Sequence, residues 1–314
     1  MPHPPLRASF TPCPVLRFPL LIPVSNTIPD IMKFKIENLT VYFPYEHIYP
    51  EQYQYMVELK RALDAKGHCL LEMPTGTGKT ITLLSLISSY QMSDPSVGKL
   101  IYCTRTVHEM EKVLAELRLL NDYQQKELGS AAKILALGLS SRKNLCINEK
   151  IRSANSRESV DAGRRKLTAS WVRALAVDNP QIETCPFFEN YDKHGAEAIL
   201  PPGVYTLQEL RSFGRSKGWC PYFLARHMIQ FANIVIYKYQ YLLDPKVAGI
   251  ISREMQRECI VVFDEAHNID NVCIEALSVN IRDQTQVGAT WNITKMTEIV
   301  DKYVGSLLFP TCMV

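Results

Sequence analysis

In the run Met73-Pro74-Thr75-Gly76-Thr77-Gly78-Lys79-Thr80, two glycines, a lysine and a threonine stand at the spacing that wraps a triphosphate. Glycines let consecutive backbone N–H groups converge on phosphate oxygens, and a helix opening at the lysine adds unpaired donors and the positive end of its dipole. Lys79 is then placed for the β- and γ-phosphates, and the Thr80 hydroxyl for magnesium. Pro74, Thr75, Gly76, Thr77 and Gly78 form the cradle. The full phosphate-loop pattern asks for glycine where Met73 stands, a departure of one residue. Far downstream, Asp264-Glu265-Ala266-His267 supplies the complementary chemistry. Asp264 is suited to hold magnesium through water, and Glu265 to orient and deprotonate an attacking water. His267 is a candidate for coupling the nucleotide to a nucleic-acid side. Gln52 lies 27 residues before Lys79. Its amide can both donate to and accept from an adenine edge, which would favour ATP.

These residues need elements to position them. Cys69 to Met73 reads as a buried strand ahead of the loop, and Ile81 to Ile87 as a buried helix after it. The apolar run Cys259-Ile260-Val261-Val262-Phe263 reads as a second buried strand that delivers the carboxylates at its end. Gly98 to Thr104 reads as another strand, followed by a helix whose apolar positions Val107, Met110, Val113, Leu114, Leu117 and Leu120 recur at three and four. Ala132 to Leu137 makes a further strand. The alternation from Phe34 to Phe43 suggests strands, and a helix is predicted from Gln52 through Leu63. Repeated strand-helix units imply an α/β fold with a parallel, doubly covered sheet and ligands at the carboxyl ends of its strands. Arg105 falls at one such end, where it serves either as a contact for a nucleic-acid phosphate or as a solvated loop arginine.

Composition bounds the possibilities. The chain has 314 residues, 46% hydrophobic and 21% charged, within the range of globular proteins. A net charge of +3 does not by itself argue for nucleic acid, but residues 141 to 175 carry nine Lys/Arg against three acids, a local excess suited to a polyphosphate backbone. Nine cysteines, an odd number without tight pairs, read as reduced thiols or metal ligands rather than a disulfide framework. No stretch of about 18 uncharged apolar residues predicts a membrane span. Residues 1–31 hold eight prolines, which oppose regular helix and ladder pairing, so a disordered extension is expected there.

The phosphate loop, the Asp-Glu-Ala-His box and the text between them together resemble superfamily 2 DNA helicases. The likeness is to the iron–sulfur branch typified by the XPD helicase subunit of transcription factor TFIIH. The runs Tyr42-Phe43-Pro44-Tyr45, Leu71-Glu72-Met73-Pro74, Ser140-Ser141-Arg142-Lys143-Asn144-Leu145-Cys146, Gly218-Trp219-Cys220-Pro221-Tyr222-Phe223-Leu224-Ala225-Arg226, Tyr241-Leu242-Leu243-Asp244-Pro245 and Val262 to Cys273 resemble that family nearly word for word, most of all its plant members. The resemblance runs from about Met32 to Val279. It implies a RecA-like motor with an inserted domain folded around a 4Fe–4S cluster on four cysteines. Cys146, Cys185 and Cys220 are the candidates, since each sits in polar or basic text and two precede proline. Cys69, Cys103 and Cys259 lie on apolar strands, where a thiol is usually a small core hydrophobe. The family's fourth cysteine aligns with Arg164, which cannot ligate iron. Three cysteines leave an incomplete cluster, a zinc site completed by His194, or no metal. In the family the insertion guides single-stranded DNA; Arg142, Tyr222 and Arg226 are the contacts implied here, as backbone cations and a stacking platform.

The division expected is an extension at 1–31, motor parts at 32–140 and 226–280, an iron–sulfur-type insertion at 141–225 and a divergent tail at 281–314, helical to about Tyr303. The resemblance implies an ATP- and magnesium-dependent 5′ to 3′ DNA helicase acting in the nucleus with TFIIH subunits. Because the likeness stops before a second motor domain, the expectation for this chain is ATP and DNA binding with weak hydrolysis and no unwinding alone. Two rival readings are a non-catalytic fragment that binds TFIIH partners, or a degenerate gene product, and a metal-stabilised nucleic-acid-binding module with a vestigial ATP site.

Overall fold

The computed structural model describes residues 32–74, 76–152, 157–179, 181–195, 197–251, 258–278 and 283–308. The proline-rich stretch at 1–31 and Thr75 of the loop lie outside the described residues. The chain opens with an antiparallel hairpin of β1 (Lys33–Ile36) and β2 (Leu39–Tyr42), in register from Lys33 opposite Tyr42 to Ile36 opposite Leu39. Its alternation puts Ile36, Leu39 and Val41 into the core. Pro50, its backbone angle preset for the first helical turn, starts α1 (Pro50–Asp64). Helix α2 (Lys79–Ser93) buries every residue from Ile81 to Ser89, and β3 (Lys99–Thr104) is buried throughout. Thr106 and Glu109 cap α3 (Val107–Leu128) reciprocally, each side chain accepting from the other's N–H. Its stripe of Met110, Val113, Leu114, Leu117 and Leu120 is buried, as the periodicity predicts.

After β4 (Leu135–Gly138) comes a block of short helices, α4 (Arg142–Leu145), α5 (Glu149–Arg152), α6 (Arg157–Thr168), α7 (Ser170–Asp178) and α8 (Pro186–His194). The chain returns to the sheet with β5 (Gly203–Tyr205), passes through α9 (Leu207–Lys217) and α10 (Pro221–Met228), and enters β6 (Ile234–Lys238). Helices α11 (Gln240–Leu243) and α12 (Pro245–Ile251) precede β7 (Cys259–Phe263), with α13 (Ile269–Leu277) and α14 (Asp283–Leu308) beyond it. The five strands order as β5-β4-β6-β3-β7 and every pair is parallel. This is the α/β architecture the strand-helix alternation predicts.

Two local expectations are corrected. Cys69 to Met73 is not a ladder strand: Cys69 is exposed, Leu70 is 91% exposed, and only Met73 is buried. Ion pairs Lys66–Glu258 and Lys79–Glu265 join the stretches that flank this segment to those that flank β7. Among the described residues the segment has no ladder partner, so its apolar side chains lack the cover a paired strand would give. For the same reason β7 is the sheet's edge rather than a buried strand, with Val261 45% exposed. Helix α14 forms as expected, but its apolar residues face solvent with the polar ones; Val287, Trp291, Met296 and Tyr303 are each more than 60% exposed. Among the described residues no helix is long and apolar enough to cross a membrane.

Candidate functional site

Gly78 is the N-cap residue of α2, and no side chain caps that helix. The N–H groups of its first turn have no intrahelical carbonyl to meet, so they are free to receive an anion. Gly76 and Gly78 hold φ of 80° and 75°, a left-handed backbone that side chains disfavour. A Cβ on Gly78 would also come within 2.8 Å of the Gln52 amide nitrogen. Gln52 itself is 4% exposed. Its Nε2 donates to the Thr77 carbonyl at 2.9 Å, and its Oε1 accepts from the Tyr49 N–H at 2.9 Å. Thr77 Oγ1 donates to the Pro74 carbonyl at 2.7 Å. In this arrangement the glutamine amide braces the loop. Gln52→Ala is therefore expected to weaken ATP and GTP binding alike, by about 3- to 10-fold for a neutral hydrogen bond. Parallel titrations with the two nucleotides check this, and a loss confined to ATP would instead show adenine contact.

The carboxylates arrive from the far end of the sheet. Asp264 N–H donates to the Cys103 carbonyl at 3.0 Å, which continues the β3–β7 pairing one residue past Phe263. The Tyr102 hydroxyl on β3 lies close enough to both Thr80 and Asp264 for each to act on its ionisation. The two magnesium candidates, from α2 and β7, are thereby within reach of one phenolic oxygen, and a hydroxyl with a carboxylate is a donor set that suits magnesium. Burial, helped by the charge of Glu265, pushes Asp264 above the ordinary carboxylate range against the opposing effects of Tyr102 and Lys79. Magnesium binds the carboxylate and not the acid. Magnesium-dependent nucleotide affinity is thus expected to fall as pH drops through that elevated value, before an ordinary aspartate near 3.8 would protonate. Titrations from about pH 8 to about pH 4 test it, with Asp264→Asn expected to flatten the profile.

Glu265 sits at φ 53°, ψ 48°, a left-handed backbone that costs a non-glycine residue about 1–3 kcal/mol and collects at functional sites. There its Oε1 lies 3.2 Å from Lys79 Nζ, while His267 Nδ1 stands 3.5 Å from Oε2. Loop and box thus meet across 186 residues of sequence. The Lys79–Glu265 side chains are 29% and 42% exposed, so water limits the pair to about 1 kcal/mol or less. A phosphate can displace it.

The remaining candidates lie elsewhere. Arg105 is exposed just beyond β3, its N–H donating to Glu109. Tyr222 is 6% exposed, with the guanidinium groups of Arg142, Arg164 and Arg226 at 5.2, 5.7 and 5.9 Å from its ring centre. The ring is a hub for cations, and Arg142 and Arg226 are half-buried around it. Cys146, Cys185 and Cys220 are all buried, and Arg164 Nη2 donates to Cys220 Sγ. His194 is exposed at the end of α8. Among the described residues no three His, Cys, Asp or Glu are grouped to hold a metal ion. A four-cysteine 4Fe–4S site is one ligand short here, and the fourth position is a cationic guanidinium already bonded to one of the other three, so these residues do not fit it. Tyr102 escaped the sequence reading; a tyrosine inside an apolar strand whose hydroxyl must find a partner was the available signal.

A family model described as DEAD_2 matches residues 102–286, and one described as type III restriction enzyme, res subunit, matches residues 46–153. The chain is 70% identical to the general transcription and DNA repair factor IIH helicase subunit XPD of Arabidopsis thaliana, over 87% of this chain and 36% of the relative. It is 53% identical to the Dictyostelium discoideum protein of the same name, over 86% of this chain and 34% of the relative. A mouse regulator of telomere elongation helicase 1 is 28% identical over 78% of this chain and 22% of its own length. The chain thus spans roughly a third of the XPD relatives it matches. A solved XPD helicase aligns with 72% of this chain and 34% of its own at 17% identity and a TM-score of 0.47.

Proposed function

Because this chain belongs to the DEAD_2 family, we propose that it is the nucleotide-binding part of an ATP-driven 5′ to 3′ DNA helicase. The observation that carries this reading is the meeting of Lys79 and Glu265 at 3.2 Å, which sets the phosphate loop against the Asp-Glu-Ala-His box. Pro74 to Thr80 cradle the phosphates and Lys79 neutralises the terminal ones. Thr80 and Asp264 hold magnesium, which supplies charge stabilisation on the transferred phosphoryl group. Glu265 orients and deprotonates water, and His267, in contact with Glu265, links that carboxylate to the DNA side.

Single-stranded DNA is the second ligand, with Arg105, Arg142 and Arg226 as phosphate contacts and the basic 141–175 stretch as the surrounding field. Residues 32–140 and 226–280 form the motor and 141–225 the insertion, from which β5 rejoins the motor sheet. The names of the relatives support TFIIH subunits as partners and the nucleus as the site of action. A fluorescent ATP analogue should bind only with magnesium, and phosphate release should rise when single-stranded DNA is added. Absence of magnesium-dependent binding in a folded sample overturns the reading.

A further inference from the structure

The three cysteines and Arg164 remain unexplained by the nucleotide site. Cys146 caps the C-terminus of α4, Cys185 is the N-cap residue of α8 and Cys220 that of α10, and Arg164 reaches them from α6. All four are 2–3% exposed. The guanidinium donates through Nη2 to Cys220 Sγ at 2.7 Å and stands 5.7 Å from the centre of the Tyr222 ring, and its Nη1 is buried without a hydrogen-bond partner. Asn148 stitches the neighbouring thiols, accepting from Cys146 Sγ through its carbonyl and donating through Nδ2 to Cys185 Sγ, each at 3.9 Å. Burial would pull the Arg164 guanidinium down, yet the three sulfurs together hold it above its ordinary value, so the cation persists there.

We propose that this is a metal-free lock, in which the Arg164 guanidinium takes the place of an iron–sulfur cluster and ties α6 to the start of α10 through Cys220. A guanidinium has five donors and no lone pair to offer iron; here one arm of its fork meets Cys220 and the Nη1 arm is buried without a partner. Its charge also opposes the entry of any metal cation between the thiols. The insertion then holds its shape without iron, and neither chelators nor air should loosen it. The proposal is independent of the nucleotide site, because iron content and the protease sensitivity of residues 141–225 are read without ATP.

The experiment is iron and acid-labile sulfide analysis, with visible absorbance, on the full chain purified anaerobically and then incubated with ferrous iron and sulfide. Arg164→Cys is treated in parallel. The wild-type protein is expected to stay free of iron and Arg164→Cys to take up a cluster. Stoichiometric iron in the wild type overturns the proposal. So does an Arg164→Cys protein that folds and stays empty, because the guanidinium would then not be what excludes the metal. The lock itself is read by limited proteolysis. Arg164→Ala is expected to be cut within residues 141–225 about tenfold faster, the effect of one lost charge-assisted hydrogen bond on local opening. Arg164→Lys, which keeps the charge without the fork, should fall between and serves if the alanine variant does not fold. Wild-type cleavage rates in the lysine variant, or in a folded alanine variant, refute the lock, and chelator-induced cleavage of the wild type does so as well.

Discussion

Replacing Lys79 by alanine is expected to abolish measurable ATP binding while leaving the protein folded. Lys79 is the first residue of α2, half-buried, at the point where the loop's donors converge. Each charge-assisted hydrogen bond it makes to phosphate contributes roughly 1.5–3 kcal/mol, so losing two weakens binding by about 10² to 10⁴. In this structure the same side chain makes the half-exposed pair with Glu265. Its removal should change unfolding by no more than about 1 kcal/mol. Calorimetric titration with magnesium-ATP, set beside a thermal melt, separates the two effects. ATP affinity within threefold of wild type in a normally folded Lys79→Ala protein would falsify the assignment of Lys79 to the phosphates.

Replacing Glu265 by glutamine should give the opposite split, with nucleotide bound and turnover stopped. A positioned general base contributes about 10² to 10⁴ in rate, and an amide cannot accept the proton from water. Glutamine keeps the length and volume of the side chain and its left-handed backbone position at φ 53°. It also ends the ion pair with Lys79, which is then free to meet phosphate without first breaking a contact. ATP affinity is therefore expected to be equal to wild type or slightly tighter, and the single-turnover rate of phosphate release to fall by at least about a hundredfold. An unchanged rate would remove Glu265 from the chemistry and leave it as a partner of Lys79 alone.

The amino-acid sequence by itself determined the parts whose chemistry is local. A glycine-rich loop opening a helix, a carboxylate pair ending an apolar run and the three-and-four spacing of α3 are read within a few residues, because backbone freedom, helix-end donors and side-chain periodicity act at that range. The repeated strand-helix units were enough for a parallel sheet. What the tertiary structure decided is who stands next to whom. Hydrophobicity marked Cys69 to Met73 and Cys259 to Phe263 as strands, but it could not say that β7 would be the edge and the other segment unpaired, since ladder partners come from distant sequence. The residue types suggested that the Gln52 amide reads an adenine edge, whereas only the fold shows that amide bonded to Tyr49 and Thr77. The resemblance to the family put Arg164 at the position of the fourth ligand, yet that the guanidinium lies buried against Cys220 follows from packing helix segments together. Tyr102 comes near both Thr80 and Asp264 for the same reason: polar neighbours are chosen by proximity in space, and a sequence lists only who is available.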